Sequence, residues 1–237
     1  MRAYDLHVHA SPFGGENSAE EVVEFAKKLG WSGVALCCSP DSESFDKQLK
    51  ILDSLKTSDF DVVKAVEIKA ENLQEFYKTI DSVRKKVEII VVSGGDIEVN
   101  KAAVETKEVD VLSHPERQRN DSGIDAVMAK TAADNQVHIE LNFREVLNSY
   151  RKSRVHVLSH MRQNLKLSGK YGFPIAITSG AYSKWELRAP RELAAFGLNL
   201  GMHLDATFQS LAVQRLDINR QKLSKDWVMP GVTLVDN

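Results

Sequence analysis

Short apolar runs rich in β-branched residues alternate with longer amphipathic stretches along the 237-residue chain, and this alternation narrows the folds open to it. The strand-like runs are residues 3–8, 33–38, 62–68, 87–92, 109–112, 137–141 and 175–178. Helical patterns fill the intervals. Ser18 with Glu21 three residues on reads as a capping box. Val22, Val23, Phe25, Ala26 and Leu29 then form an apolar face, and Gly30 reads as the stop. Similar helices fit residues 42–55, 73–85, 97–106 and 124–135. Residues 153–171 are the longest helical candidate, and 190–196 and 206–216 follow it.

A helix after each strand requires crossover connections, and so a parallel sheet. Near-continuous apolar runs suit strands covered on both faces. Seven of them point to an α/β fold, a TIM-like (β/α) barrel that is seven-stranded or distorted; an open doubly wound sheet is second. Residues 198–203 are the best candidate for an eighth strand, with Gly197 and Gly201 breaking it. No Pro/Gly/Ser linker divides the chain, so residues 1–237 read as a single barrel domain.

Composition, 43% hydrophobic and 27% charged, is that of a globular protein. No apolar run reaches the ~18 residues of a membrane span, and the first residues lack the apolar stretch of a signal peptide. The two cysteines, Cys37 and Cys38, are adjacent. They exclude a disulfide framework and lead to the expectation of a reducing, cytoplasmic compartment without membrane partners. Pointing to opposite strand faces, both read as packing residues, as do Trp31 and Trp227.

In parallel barrels, chemistry gathers at the C-terminal ends of the strands. The two-residue period places Asp5, His7 and His9 on one face of the first strand, a set suited to a divalent metal. Glu67 ends the third run, and Ser113 and His114 follow the fifth. Glu140 and Asn142 lie on the sixth, and Thr178-Ser179-Gly180 closes the seventh. Singly, each histidine reads as a hydrogen-bonded structural residue. Together in one mouth, they fit a metal site as well as a structural hydrogen-bonded set.

Asp5-Leu6-His7-Val8-His9, Glu67, Val111-Leu112-Ser113-His114-Pro115 and Ser179-Gly180-Ala181 resemble the polymerase-and-histidinol-phosphatase superfamily of metallo-phosphoesterases, whose barrel mouth holds two or three metals. Two features of that superfamily are missing. Ser39-Pro40-Asp41 stands where it has Thr-Asp-His, and Ser179-Gly180-Ala181-Tyr182 stands where it has Asp followed shortly by His. The same departures resemble a narrower family, ribonuclease P protein component 3 of archaeal type. That resemblance also rests on Phe143-Arg144-Glu145, Leu187-Arg188-Ala189-Pro190-Arg191-Glu192-Leu193, Gly201-Met202 and Ile218-Asn219-Arg220. It implies a non-catalytic subunit of an endoribonuclease whose RNA removes the 5′ leader from precursor tRNA. The implied partners are ribonuclease P RNA, precursor tRNA, a small ferredoxin-like protein subunit and other subunits. No cofactor is expected in the protein, Mg2+ is expected with the RNA, and Asp5, His7, His9, Glu67 and His114 remain as vestigial metal candidates.

Such a role demands a basic surface, and the net charge of −2 hides one. Residues 144–191 hold ten Lys/Arg against two acids, a net of +8. Residues 1–143 net −9 and residues 192–237 net −1. A basic segment of this kind has an electrostatic reason to meet phosphate. The expected RNA contacts are Arg144, Arg151, Lys152, Arg154, Arg162, Lys166, Lys170, Arg188, Arg191 and Arg220. Arg162, Lys166 and Lys170 recur at i, i+4 and i+8, one stripe on a helix. Arg151, Lys152 and Arg154 read as a loop or helix entry. Tyr150, Tyr171, Tyr182 and Trp185 interleave as stacking candidates. Two other readings compete: a stand-alone metal-dependent phosphoesterase, and a protein-interaction scaffold on an inactive enzyme fold.

Overall fold

The computed structural model describes residues 2–40, 44–210, 214–224, 226–229 and 232–233. Seven strands form one parallel sheet in sequence order: β1 (Tyr4–Val8), β2 (Gly33–Cys38), β3 (Asp61–Ile68), β4 (Ile89–Ser93), β5 (Val111–Ser113), β6 (His138–Asn142) and β7 (Ile175–Thr178). Each lies within two residues of its expected run. Val8 bridges Ala181 beyond β7, and the His9 N–H donates to the Ala181 carbonyl at 2.7 Å. The sheet therefore comes round into a nearly closed seven-stranded barrel.

Helices α1 (Ala19–Lys28), α2 (Phe45–Ser54), α3 (Leu73–Val83), α4 (Ile97–Glu105) and α5 (Ala126–Asn135) fill the first crossovers. The Ser18 capping box forms as expected, and Gly30 leaves the helix at φ +89°. A short helix not expected from the sequence, α6 (Phe143–Leu147), precedes the long α7 (Lys152–Tyr171). A 3-10 turn (Lys184–Glu186) and α8 (Pro190–Leu200) follow β7. The start expected at residue 42 lies outside the described residues. The helix expected over 206–216 is two helices, α9 (Leu204–Ser210) and α10 (Gln214–Leu223), flanking residues 211–213, which lie outside the description. A hairpin, β8 (Trp227–Met229) with β9 (Val232–Thr233), completes the described chain.

The eighth strand expected at 198–203 is absent: Leu198–Leu200 belong to α8. Its two glycines have helical roles instead. A Cβ on Gly197 would meet Ile177 Cδ1 at 2.6 Å, so this glycine lets α8 lie directly on β7. Gly201, at φ +111°, is the left-handed stop that ends the helix.

Alternation along the strands separates two apolar layers. Val34, Leu36, Val62 and Val66 face the helices, as does Cys38. Leu6, Ala35, Cys37, Val63, Ala65, Val91 and Val111 face the barrel axis. Full burial of each large side chain contributes roughly 1.5–3 kcal/mol. At the strands' N-terminal ends α10 plugs the barrel. Leu216 joins the interior cluster, and Arg215 donates to Asp110 Oδ1 at 2.6 Å. Toward the C-terminal ends the interior positions turn polar, at Glu67, Ser113, Glu140 and Thr178. That polar layer forms the floor of the mouth.

Candidate functional site

Glu140, fully buried, organises the mouth. It accepts from His7 Nδ1 at 2.7 Å, Thr178 Oγ1 at 2.5 Å, Asn142 Nδ2 at 3.0 Å and the Ser113 hydroxyl. Burial alone would raise its pKa; His7 outweighs that and holds the carboxyl well below its usual range. Gly180 makes room for the layer, because a Cβ there would meet Asn142 Oδ1 at 2.2 Å.

His7 Nε2 lies 3.1 Å from His9 Nε2, and the two stand 3.8 and 3.6 Å from Glu67. Burial disfavours a charge on His7, but Glu140 and Glu67 raise its pKa. Burial and the neighbouring His7 push His9 down to about 3. Glu67, despite its burial, is pulled down to about 2 by His7, His9 and Lys69. His7 is thus held between Glu140 on its Nδ1 side and His9 on its Nε2 side.

His7, His9 and Glu67 are a three-ligand set with their donor atoms within 4.8 Å of one another. Glu140 behind His7 is the outer partner that orients metal-bound imidazoles. The donors fit one divalent ion with an open position. Bound there, an ion would act as a Lewis acid. They do not make a multi-metal cluster. Register slips between Asp5 and Val8, and the Asp5 carboxylate turns to the Ser179 N–H, 3.2 Å from each oxygen. Burial raises Asp5 to about 6. His114 takes φ +32° and stays outside the group, pushed down to about 4 by burial and Arg117. So Asp5 and His114 do not join the metal candidates His7, His9 and Glu67.

Lys69, two residues past Glu67, was not singled out from the sequence. Its ammonium lies 2.8 Å from Glu67 Oε2 and 3.1 Å from the Tyr182 hydroxyl. The Tyr182 ring stacks on His9 at 3.9 Å, with the Arg144 guanidinium 4.5 Å over it. A built-in cation therefore already neutralises Glu67. Tyr182 is a wall of the mouth, not a free platform for bases.

The basic segment runs over α6–α8. Arg151, at φ +47°, stacks on exposed Tyr150 and leads into Lys152, the first residue of α7; this is the expected helix entry. Arg154 donates to the Ser149 carbonyl. Arg162, Lys166 and Lys170 are all exposed, and no acid pairs with them among the described residues. Arg191 is exposed near the start of α8. Two members are partly committed elsewhere. Arg144 pairs with Glu186 at 3.0 Å, and Arg188 donates to the Trp185 and Leu187 carbonyls.

Arg220 lies apart from the others. It stands at the other end of the barrel, binding Asp61 Oδ2 at 2.7 Å and Glu88 Oε1 at 2.5 Å. Asp61 opens β3 and Glu88 precedes β4, so a guanidinium on α10 serves as a clamp there. Tyr171 is half-buried against the core, whereas Tyr150 and Trp185 are each 70% exposed.

No membrane-crossing helix exists among the described residues. The family model of RNase P subunit p30 matches residues 2–218. Ribonuclease P protein component 3 of Methanococcoides burtonii is 38% identical over 234 residues, covering 98% of this chain and 94% of that protein. The same component of Methanothermobacter thermautotrophicus is 35% identical over 215 residues, 89% of this chain and 86% of that one. A chain in a cryo-EM structure of archaeal ribonuclease P with mature tRNA superposes with a TM-score of 0.83 at 31% identity, covering 98% of both chains. Histidinol phosphate phosphatase of Lactococcus lactis, at 11% identity and TM-score 0.58 over 85% of this chain and 95% of that one, shares the fold alone. Barrel, mouth and whole-length similarity agree: this chain belongs to the RNase P subunit p30 family.

Proposed function

We propose that the chain is a protein subunit of ribonuclease P that binds the enzyme's RNA through the surface of α7. It thereby assists RNA-catalysed removal of the 5′ leader from precursor tRNA. The observation that carries this reading is the exposed stripe Arg162, Lys166 and Lys170, which no acid pairs with among the described residues. Like charges one turn apart repel by a few tenths of a kcal/mol per pair, and a phosphate backbone relieves that repulsion. Arg151, Lys152, Arg154 and Arg191 extend the surface, with Arg144 and Arg188 at its edge.

The mechanism is electrostatic. The cations replace part of the counterion atmosphere of the RNA, which lowers the Mg2+ needed for a compact catalytic fold and for docking of precursor tRNA. Two side chains that could act as nucleophiles are held back: Glu140 accepts from the Ser113 hydroxyl, and burial pushes the Cys37 thiol well up. In the cytoplasmic assembly a small ferredoxin-like subunit and further subunits would share the RNA, following the family resemblance.

The test is a titration of ribonuclease P RNA against salt with wild-type protein and the Arg162→Glu/Lys166→Glu double variant. Each lost phosphate contact should lower the slope of log affinity against log salt by roughly 0.7–0.9. Equal affinity and slope would remove the stripe's role. In reconstitution, an Mg2+ requirement indifferent to the subunit would overturn the mechanism. The stand-alone phosphoesterase reading rests on the His7–His9–Glu67 donors, and it requires turnover by the RNA-free, metal-loaded protein.

A further inference from the structure

Tyr150 and Trp185 keep their rings in solvent, each 70% exposed, although large aromatic side chains gain much by burial. Both sit on loops that leave the C-terminal ends of neighbouring strands. Tyr150 lies between α6 and α7, after β6, and Trp185 in the 3-10 turn after β7. Each ring carries a cation from an adjacent position in the chain. The Arg151 guanidinium lies 5.2 Å from the Tyr150 centroid, and Lys184 Nζ lies 5.4 Å from that of Trp185. Phe25 adds an edge contact to Trp185, with centroids 5.6 Å apart. Beyond these contacts the high exposure leaves ring surface open to solvent.

The loops that carry the two rings are pinned. The Ser153 N–H donates to the Tyr150 carbonyl at 3.1 Å, and Arg154 donates to the Ser149 carbonyl at 2.7 Å. Arg188 donates to the Trp185 carbonyl at 3.0 Å, and the Lys184 ammonium pairs with Glu21 at 2.6 Å. The loops are also tied to one another. Arg144 of α6 pairs with Glu186 of the 3-10 turn at 3.0 Å, and the Arg188 guanidinium lies 5.2 Å over the Phe143 ring. Rings fixed in advance lose little entropy when a ligand stacks on them. Exposed Arg151, Lys152 and Arg191 stand nearby in the same segment to meet phosphates.

Cations along a backbone with aromatic rings for the bases are the chemistry of single-strand binding. An RNA helix hides its base faces in its own stack, and only unpaired bases can be splayed onto a side chain. The geometry points to Tyr150 and Trp185 as two platforms on which unpaired bases of the bound RNA stack, at the rim of the barrel mouth. The inference rests on the RNA-binding reading above. It adds a choice of unpaired over helical RNA, which a stripe of cations does not make.

The experiment follows tryptophan emission of the full chain against an oligoadenylate of about ten nucleotides, within the site sizes of single-strand binders, and against an RNA duplex of the same length. The oligoadenylate should quench the emission and the duplex should not. Trp185→Phe should remove the quench, because Trp31 is buried and Trp227 lies on the β8 hairpin at the other end of the sequence. Trp185→Ala and Tyr150→Ala should each weaken the oligoadenylate by about tenfold, the worth of one base–aromatic stack. Trp185→Phe and Tyr150→Phe should keep most of the affinity. Stacking releases no counterions, so the alanine variants should keep the wild-type salt slope, unlike Arg162→Glu/Lys166→Glu. No quench in wild type, or an equal quench by the duplex, would overturn the Trp185 platform, and neither result depends on a variant folding. Unchanged oligoadenylate affinity in an alanine variant would overturn that residue's platform. The salt titration with ribonuclease P RNA keeps the two readings apart. A normal slope without any quench defeats the platforms alone; a quench by oligoadenylate with a slope indifferent to the stripe upholds the platforms and defeats the stripe.

Discussion

The two ends of the barrel both bury carboxylates, and they neutralise them differently. At the N-terminal end, Asp110 accepts from Arg84 at 2.7 Å, Arg215 at 2.6 Å and Asn219 at 2.8 Å. Asp61 and Glu88 share Arg220, and the Tyr4 hydroxyl donates to Asp61 at 2.8 Å. Most of these donors come from α10, which also inserts Leu216. At the C-terminal end, Glu140 and Glu67 rely on histidines and one lysine, while the Glu116 oxygens have no hydrogen-bond partner among the described residues. Guanidinium groups paired with these buried acids make a permanent lid. Imidazoles and an orphan acid leave an end whose protonation is shifted by burial. The difference marks which end is structural and which is available for recognition.

The largest effect should come from breaking the closed end. Asp110→Ala leaves Arg84 and Arg215 facing a partnerless site, and removing one side of a buried pair costs about 3–5 kcal/mol. Urea unfolding should show that loss as a lower midpoint with an unchanged slope; a change below 1 kcal/mol would mean that α10 is not a clamp. Leu216→Ala tests the apolar half of the same plug and should cost about 2–4 kcal/mol. A smaller loss would mean that the interior cluster does not depend on α10.

The open end should differ in pH dependence. Asp110 is buried, but its arginines hold its pKa below the usual 3.8. Its stabilisation is present above that value and fades as pH falls through the folded pKa. Glu116 runs the other way: burial pushes it up to about 8 from 4.5. Between those values the folded acid keeps a proton that the unfolded chain has released. Stability therefore falls as pH rises through this window, by about 1.4 kcal/mol per unit at most. Glu116→Gln should flatten that decline between pH 5 and 8 in thermal melts. An identical decline in both proteins would show that Glu116 does not carry it.

The same contrast separates what was legible in the sequence from what was not. The strand runs predicted the barrel, because alternation and β-branching act locally. The stripe Arg162, Lys166, Lys170 was legible because a helix repeats at a fixed spacing. The ion pairs of Arg220 were illegible because its partners, Asp61 and Glu88, lie 159 and 132 positions away. Asp5 misled because a slip in β1 broke the two-residue period that would have kept it with His7. Glu116 was illegible because an orphan acid is defined by what does not surround it. Residues 198–203 read as a broken strand because the two glycines signal close packing and a helix stop only once β7 lies beneath them.

The smallest change in stability, and the finest test of the contrast, concerns Lys69. Its side chain is 57% exposed and its ion pair with Glu67 sits at the rim, so Lys69→Ala should cost no more than about 1 kcal/mol. Its effect should appear in metal affinity instead. The ammonium competes for the Glu67 oxygen that would complete a set with His7 and His9. Removing it leaves two imidazoles and a carboxylate without a resident cation. Calorimetric titration with Zn2+ at pH 7 should then show about tenfold tighter binding than wild type, one unit of charge competition near a partly exposed site. Glu67→Gln in the same background should abolish the gain, because an amide oxygen is a weaker ligand than a carboxylate. Equal Zn2+ affinity with and without Lys69 would show that the lysine does not compete for the site, and that the open end is no more permissive toward cations than the closed one.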